Sequence, residues 1–416
     1  MGRVLFFTAA RALYGTAMHG DLLSVLPRPL GGPVVNAESF SAHNAGFRDR
    51  AKGSTIEPHA ERVRDMSERG KALVVGATGV VGRNLLRHLV ASRNWQVAAL
   101  SRRKPDVEGA YVHLPVDLLD KEQCRERIGR PLGVTHVFHA AYLERPSAAE
   151  AVASNLAMLV NLVDAIEPVS PTLAHINLVH GTKWYGNHLG PFKTPAREDD
   201  PRHMPPNFYY DQQDFIAARQ HGKSWTWSAA RPHAICGFAT GNPMNLVMVL
   251  AVYATISKAL RLPLRHPGTA ENYHALYQCA DADHLAKALV WMATERRCAN
   301  QPFNITNGDV FRWDNLWPRI AAFFDMEVGP RQHIRLAEMM RDKGPLWDRI
   351  VREHKLQPIP YDRIASWNFG DFVFSAGFDV VSSTTKARQY GFHDVVDSEA
   401  MFLRMFDELR RQRVIP

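Results

Sequence analysis

Lys71-Ala-Leu-Val-Val-Gly76-Ala77-Thr78-Gly79-Val80-Val81-Gly82 is the stretch that decides the fold. It begins as a short apolar, partly β-branched run and ends in glycines spaced three apart. Leucines then recur at helical spacing up to Ser92. A strand therefore turns directly into a helix. The first glycine permits the tight turn, the second lets the backbone approach a pyrophosphate, and the third lets helix and strand pack closely. Free N–H groups at the helix start face the anion. Gly76, Thr78, Gly79, Val80, Val81 and Gly82 are the expected cradle of a dinucleotide.

Working outward, apolar runs at residues 96–100, 111–116, 134–141 and 176–179 alternate with segments able to form helices, notably 155–169. That alternation predicts an α/β protein, a Rossmann-type doubly wound parallel sheet with helices on both faces. Residues 71–241 read as the dinucleotide-binding domain. Residues 242–416 read as a smaller, mainly helical substrate region, some of whose segments return to the sheet. Helices are expected there at 243–260, 282–294, 313–324 and 336–354, with short strands at 273–279 and 303–306. Residues 1–70 show no sustained period and contain Pro27-Arg-Pro-Leu-Gly-Gly-Pro33. They are expected to be a poorly ordered extension, or to precede a true start at Met66.

The chain has 416 residues, 46% of them hydrophobic and 22% charged, which excludes wholesale disorder, collagen, coiled coil and disulfide scaffold. Lys and Arg exceed Asp and Glu by 8. The longest basic runs are only Arg102-Arg103-Lys104 and Arg410-Arg411 with Arg413, so no nucleic-acid partner is expected. Four cysteines far apart, without a C-x-x-C pair, point to reduced thiols in a cytoplasm. No run approaches the roughly 18 uninterrupted apolar residues that would span a bilayer, so no membrane partner is expected. The 19 histidines include no H-E-x-x-H, so no metal is assigned. A G-x-S-x-G elbow is absent, which disfavours a serine hydrolase.

The second strand ends in Leu100-Ser101-Arg102-Arg103, about 20 residues past the last glycine, where an NAD site places an acid on the ribose 2′-hydroxyl. Ser101, Arg102 and Arg103 can instead hold a 2′-phosphate, which selects NADPH. Asp117 and Leu118 follow the third strand, where adenine lies. His139, Ala140 and Ala141 follow the fourth and border the cofactor's centre.

Hydride chemistry next to such a cofactor needs a proton or hydrogen-bond donor. No tyrosine in the chain has lysine four residues on, so the usual Tyr-x-x-x-Lys pair is missing. Gly181-Thr182-Lys183-Trp184-Tyr185 at a strand exit and Asn207-Phe208-Tyr209-Tyr210 at a helix start can rebuild a phenol and ammonium pair in space. These motifs, with Gly190-Pro-Phe192, Asp214, Trp227-Ser-x-x-Arg231-Pro232 and Asn304-Ile-Thr-Asn-Gly-Asp-Val-Phe-Arg-Trp313, resemble the progesterone 5β-reductase and iridoid synthase family of atypical extended short-chain dehydrogenases. The resemblance runs from about residue 71 to the end. It implies NADPH-dependent reduction of an activated C=C bond in an enone or enal, with Lys183 and Tyr209 in the catalytic places and a small-molecule enone or related carbonyl as partner. Tyr210 stays open as the alternative donor. Trp184, Phe192, Tyr210 and Phe238 are expected around the substrate, and a homodimer is the assembly to test. Three departures stand out: Gln213 where the family has glutamate, Trp184 where it has histidine, and Gly186-Asn187-His188 as extra residues. The rival readings are a nucleotide-sugar epimerase or dehydratase and a non-catalytic NADP sensor.

Overall fold

The computed structural model describes residues 70–130, 132–239, 241 and 244–416. The amino-terminal extension expected from the sequence lies outside the described residues, Gly70 excepted. The first half of the described chain is β1 (Gly70–Val75), α1 (Val80–Ser92), β2 (Trp95–Leu100), β3 (Val112–Leu114), α2 (Lys121–Arg127), β4 (His136–His139), α3 (Ala148–Ile166), β5 (His175–Val179), α4 (Phe208–Gln220), β6 (Thr226–Pro232) and β7 (Ala234–Cys236). There follow α5 (Leu246–Ala259), α6 (Ala270–His274), β8 (Leu276–Tyr277), β9 (Cys279–Asp281), α7 (Ala282–Thr294), β10 (Gln301–Ile305), β11 (Phe311–Arg312) and α8 (Trp313–Phe323). The chain closes with α9 (Leu336–Met339), α10 (Gly344–His354), α11 (Tyr361–Ile364), α12 (Trp367–Ser375), α13 (Thr385–Gln389) and α14 (Ser398–Arg411).

Seven strands form one sheet in the order β10-β6-β5-β4-β1-β2-β3, and every pairing in it is parallel. The doubly wound α/β expectation holds. Strand order reverses between β1 and β4, which leaves a crevice at the carboxyl ends of the strands. Helices cover both faces because parallel strands are apolar on both sides. Leu85, Leu86 and Leu89 of α1 pack on one face with Leu285 and Leu289 of α7. Leu159, Leu162 and Val163 of α3 pack on the other with Ile176 and Leu178. Each such leucine contributes about 1.5–3 kcal/mol by leaving water.

Helix starts follow side-chain chemistry. Asp120, Ser147, Asn207 and Asp281 accept hydrogen bonds from the first-turn N–H groups of α2, α3, α4 and α7. No side chain caps α1, whose N-cap is Gly79.

Several boundaries differ from expectation. The helix predicted at 155–169 begins at Ala148, where Ser147 caps it. With the turn that follows, Ala148–Val169 is by length and mean hydropathy long and apolar enough to cross a membrane. Its apolar residues are interrupted by Glu150, Ser154, Asn155, Asn161 and Asp164. Asn155 is buried and bonded to the Leu143 N–H and C=O, and Asn161 donates to the Leu118 carbonyl. The strand predicted at 273–279 is instead α6 followed by the short β8 and β9. Thr269 caps α6, and the Asn272 side chain donates to the carbonyls of Val373 and Ala376, which fixes a helical turn there. The single helix predicted at 336–354 is two, because Gly344-Pro345 starts a new one.

Candidate active site

The glycine turn has the geometry that its residue types dictate. Gly76 sits at φ +80°, and a Cβ there would fall 2.7 Å from the backbone of Ala141. A Cβ on Gly82 would fall 2.3 Å from the Gly76 carbonyl oxygen. Only glycine fits either position. Gly76, Thr78, Gly79, Val80 and Val81 line one long cleft at the carboxyl edge of the sheet, while Gly82 lies beneath it in the helix and strand contact. The uncapped start of α1 leaves N–H groups for an anion. A cradle that excludes side chains, next to an uncapped helix, fits a dinucleotide pyrophosphate.

Along the same cleft lie Ser101, Arg102 and Arg103, then Asp117 and Leu118, then Ala140 and Ala141. The Ser101 hydroxyl donates to the Arg103 carbonyl at 2.6 Å, which shapes the turn that presents both guanidinium groups. Those two arginines are exposed and have no ion pair among the described residues. The Asp117 carboxylate accepts from the Leu119 N–H at 3.0 Å. His139, by contrast, is buried behind Ala140 and does not line the cleft.

At the far end stand Lys183 and Tyr209. Lys183 occupies the single helical turn Thr182–Tyr185 at the exit of β5, and Tyr209 the first turn of α4. Both line the cleft. Tyr209 is packed between His180, at 5.0 Å between ring centroids, and Phe208, at 4.4 Å. Its hydroxyl lies beside Gly181, where a Cβ would come within 3.2 Å of it, and it has no hydrogen-bond partner among the described residues. Burial raises the Tyr209 phenol pKa above its ordinary value, with the Glu144 carboxylate adding to the effect. The Lys183 ammonium lies 5.9 Å from the centre of the Phe372 ring. Tyr210 points elsewhere: its hydroxyl donates to the Trp184 carbonyl at 2.7 Å and accepts from the His203 N–H at 2.8 Å.

None of the four aromatics expected around the substrate lines the cleft. Trp184 is turned inward because the buried Arg231 guanidinium covers its face at 3.6 Å. Tyr210 is held edge-on against Trp184. Phe192 packs on Phe378, and Phe238 lies under the Arg83 guanidinium at 5.0 Å. The apolar wall is built instead from Ile235, Phe369, Phe372 and Val380, with Tyr142, His180 and Asn187 among its polar members. No motif of its own marks His180 in the sequence. Its place immediately before Gly181, at the carboxyl end of a central parallel strand, is the signal that puts it at the ligand edge. Both of its ring nitrogens are buried without a partner among the described residues. Burial lowers its pKa well below the ordinary value, and the Arg231 charge adds to this.

A family model described as a PRISE-like Rossmann-fold domain matches residues 101–416. An (S)-8-oxocitronellyl enol synthase of Nepeta racemosa is 34% identical over 365 residues, 83% of this chain and 93% of that protein. A 3-oxo-Δ(4,5)-steroid 5β-reductase of Arabidopsis thaliana is 32% identical over 367 residues, again 83% and 93%. Among solved structures, the UDP-glucose 4-epimerase of Thermotoga maritima superposes with TM-score 0.57 at 14% identity, over 82% of this chain and 99% of that one. That likeness is one of fold. The resemblance read from the Lys183 and Tyr209 motifs therefore holds, and the chain belongs to the PRISE-like Rossmann-fold family, oxidoreductases of the short-chain dehydrogenase/reductase superfamily.

Proposed function

We propose that this protein is an NADPH-dependent reductase of activated C=C bonds in small enones or enals. The observation that carries the reading is that the Tyr209 hydroxyl, without a hydrogen-bond partner among the described residues, shares one cleft with the glycine cradle and Lys183. The relatives named for an enol synthase and a steroid 5β-reductase support the substrate class. The guanidinium groups of Arg102 and Arg103, unpaired among the described residues and with no acid between Ser101 and Pro105, support NADPH over NADH.

When bound in this cleft, NADPH would supply a hydride to the β-carbon of the substrate, and the resulting enolate would take up a proton from water to complete the reduction. Negative charge develops on the substrate carbonyl oxygen as the enolate forms. Tyr209, kept protonated by burial, donates a hydrogen bond to that oxygen and stabilises the charge where it forms. Lys183 holds positive potential beside it and serves to orient the cofactor's ribose. Ile235, Phe369, Phe372 and Val380 exclude water and hold the substrate's carbon skeleton. On this reading residues 71–241 hold the cofactor, and residues 242–416 add the substrate wall through α12. Four buried, free cysteines fit a reducing compartment such as the cytoplasm.

The test is consumption of NADPH by the purified chain with cyclohexenone and open-chain enals, with the product identified by NMR. Tyr209→Phe and Lys183→Met should each lower turnover by roughly 100–1000-fold while NADPH binding persists. Binding without turnover on any enone or carbonyl would replace the reductase with an NADP sensor.

A further inference from the structure

Where the adenine end of the cleft opens to the surface, it adjoins a second hollow of about 600 Å³. Arg103 and Gly241 border both. The far wall of the hollow comes from the carboxyl-terminal region, with Arg341, Tyr361, Arg363 and Trp367. Arg363 of α11 is fastened there by its backbone, since its carbonyl accepts from the Gly241 N–H at 2.8 Å. Its guanidinium reaches over Gly241: a Cβ on that glycine, which sits at φ +68°, would stand 3.3 Å from Nε and Nη2.

Arg363 is half-buried, yet its side chain has no ion pair and no hydrogen bond among the described residues. Arg103, which borders the same hollow, and its neighbour Arg102 are exposed and likewise have no side-chain ion pair or hydrogen bond among the described residues, and the exposed Asp362 pairs with none of the three. A guanidinium carries five donors and no acceptor. Holding several unpaired around one opening costs free energy by repulsion between like charges and, for the half-buried Arg363, by desolvation. An anion between the two walls removes both costs. The glycine cradle takes no part in lining this hollow, so the pyrophosphate is not that anion. The phosphate that belongs beside Ser101, Arg102 and Arg103 is the one on the ribose 2′-position.

We propose that Arg363 closes on the 2′-phosphate of the cofactor from the side opposite Arg102 and Arg103, which makes it a specificity-determining residue for NADPH contributed by the carboxyl-terminal region. The inference rests on the reading of the cleft as an NADPH site. It also links the two ends of the ligand path. Arg363 precedes by only a few residues the helix that supplies Phe369 and Phe372, so seating the cofactor phosphate steadies the substrate wall.

Calorimetric titration of the wild-type chain, Arg363→Ala and Arg363→Lys with NADPH and with NADH tests it. Arg363→Ala should weaken NADPH binding by roughly tenfold, leave NADH binding unchanged and keep the wild-type melting temperature without ligand. Arg363→Lys should recover part of the loss. Unchanged NADPH affinity in Arg363→Ala overturns the proposal. So does an equal loss for NADPH and NADH, because NADH carries the pyrophosphate but no 2′-phosphate. A wild-type chain that binds NADH as tightly as NADPH overturns the cofactor reading itself, and is recognised before any variant is measured.

Discussion

Asn207 donates a hydrogen bond from Nδ2 to the carbonyl oxygen of Lys183 at 2.8 Å. Its Oδ1 accepts from the Tyr209 N–H at 3.1 Å and so caps α4. One amide thus ties the turn that carries the lysine to the helix that carries the tyrosine, 26 positions apart in the sequence. Asn207 does not line the cleft, so on the proposed reading it acts as a positioning residue. Asn207→Ala should cost about 0.5–2 kcal/mol of stability as a lost cap and lower kcat. Asn207→Ser keeps a capping oxygen but is too short to hold Lys183. It should melt near the wild-type temperature while kcat stays low, with KM for the cofactor little changed. A serine variant with full kcat would remove the tie from the argument.

What the sequence made legible was local. The glycine cradle follows from positions where positive φ or close backbone approach admits one residue type, and both requirements act within a few residues. Lys183 and Tyr209 were legible only through their motifs, because the pair is assembled from two elements. Phe369 and Phe372 were not legible. On α12 they are apolar residues one helical turn apart, a pattern that core packing produces equally well, and only the tertiary fold brings α12 over the cleft. Trp184 misled for the opposite reason. An aromatic beside Lys183 looks like a pocket wall, yet Arg231, 47 positions away, draws it inward.

Tyr209 should behave as a neutral hydrogen-bond donor and not as a titrating acid. Burial raises its pKa above the ordinary tyrosine value of roughly 10. The phenol therefore stays protonated through the working range. The kcat profile should show no ionisation attributable to it up to about pH 9, and Tyr209→Phe should lower the profile uniformly without changing its shape. An alkaline limb that vanishes in Tyr209→Phe would show that the phenolate is involved.

Gly76→Ala puts a methyl group 2.7 Å from the Ala141 backbone at a φ of +80°. The turn must shift or the strand ends must part. Dinucleotide affinity should fall below detection by calorimetry, and stability should drop by about 1–3 kcal/mol for the forced backbone. Gly222→Ala provides the contrast. That glycine also has positive φ, at +74°, but nothing lies within 4 Å of its missing Cβ. It should lose only the strain energy and bind cofactor normally.

The fold should be sensitive to acid. His139 and His136 are lowered to about 4, and His175 and His233 to about 3, in each case chiefly by burial. The unfolded chain binds protons at these groups near pH 6.5, whereas the folded chain resists until much lower pH. Folding stability is thus fully present above pH 6.5 and is lost as pH falls, at up to about 1.4 kcal/mol per pH unit for each histidine. The melting temperature should decline steeply between about pH 6 and 4.5. His139→Gln should flatten the decline, and an equally steep curve in that variant would place the acid lability elsewhere.

Gln213 should be replaceable by the glutamate that the family resemblance leads one to expect there. Arg231 is 1% exposed, and its Nη2 donates to Gln213 Oε1 at 3.2 Å while Nη1 donates to the Tyr185 hydroxyl and the Glu198 carbonyl oxygen. Among the described residues no carboxylate oxygen hydrogen-bonds to this guanidinium, whose pKa burial lowers. Gln213→Glu turns a neutral acceptor into a charged one, and a charge-assisted bond contributes about 1.5–3 kcal/mol where a neutral one contributes about 1. The partner is already buried and its desolvation already offset elsewhere in the fold, so the variant has only the new carboxylate to desolvate. Stability at neutral pH should rise by about 1 kcal/mol. The guanidinium holds the introduced carboxyl below its unfolded pKa, so the gain should be present above about pH 4.3 and disappear as pH falls below it. Turnover should be unchanged, because Arg231 supports Trp184 and Tyr185 from behind and does not line the cleft. A variant less stable than the wild type would mean that desolvating the carboxylate outweighs the ion pair in this pocket.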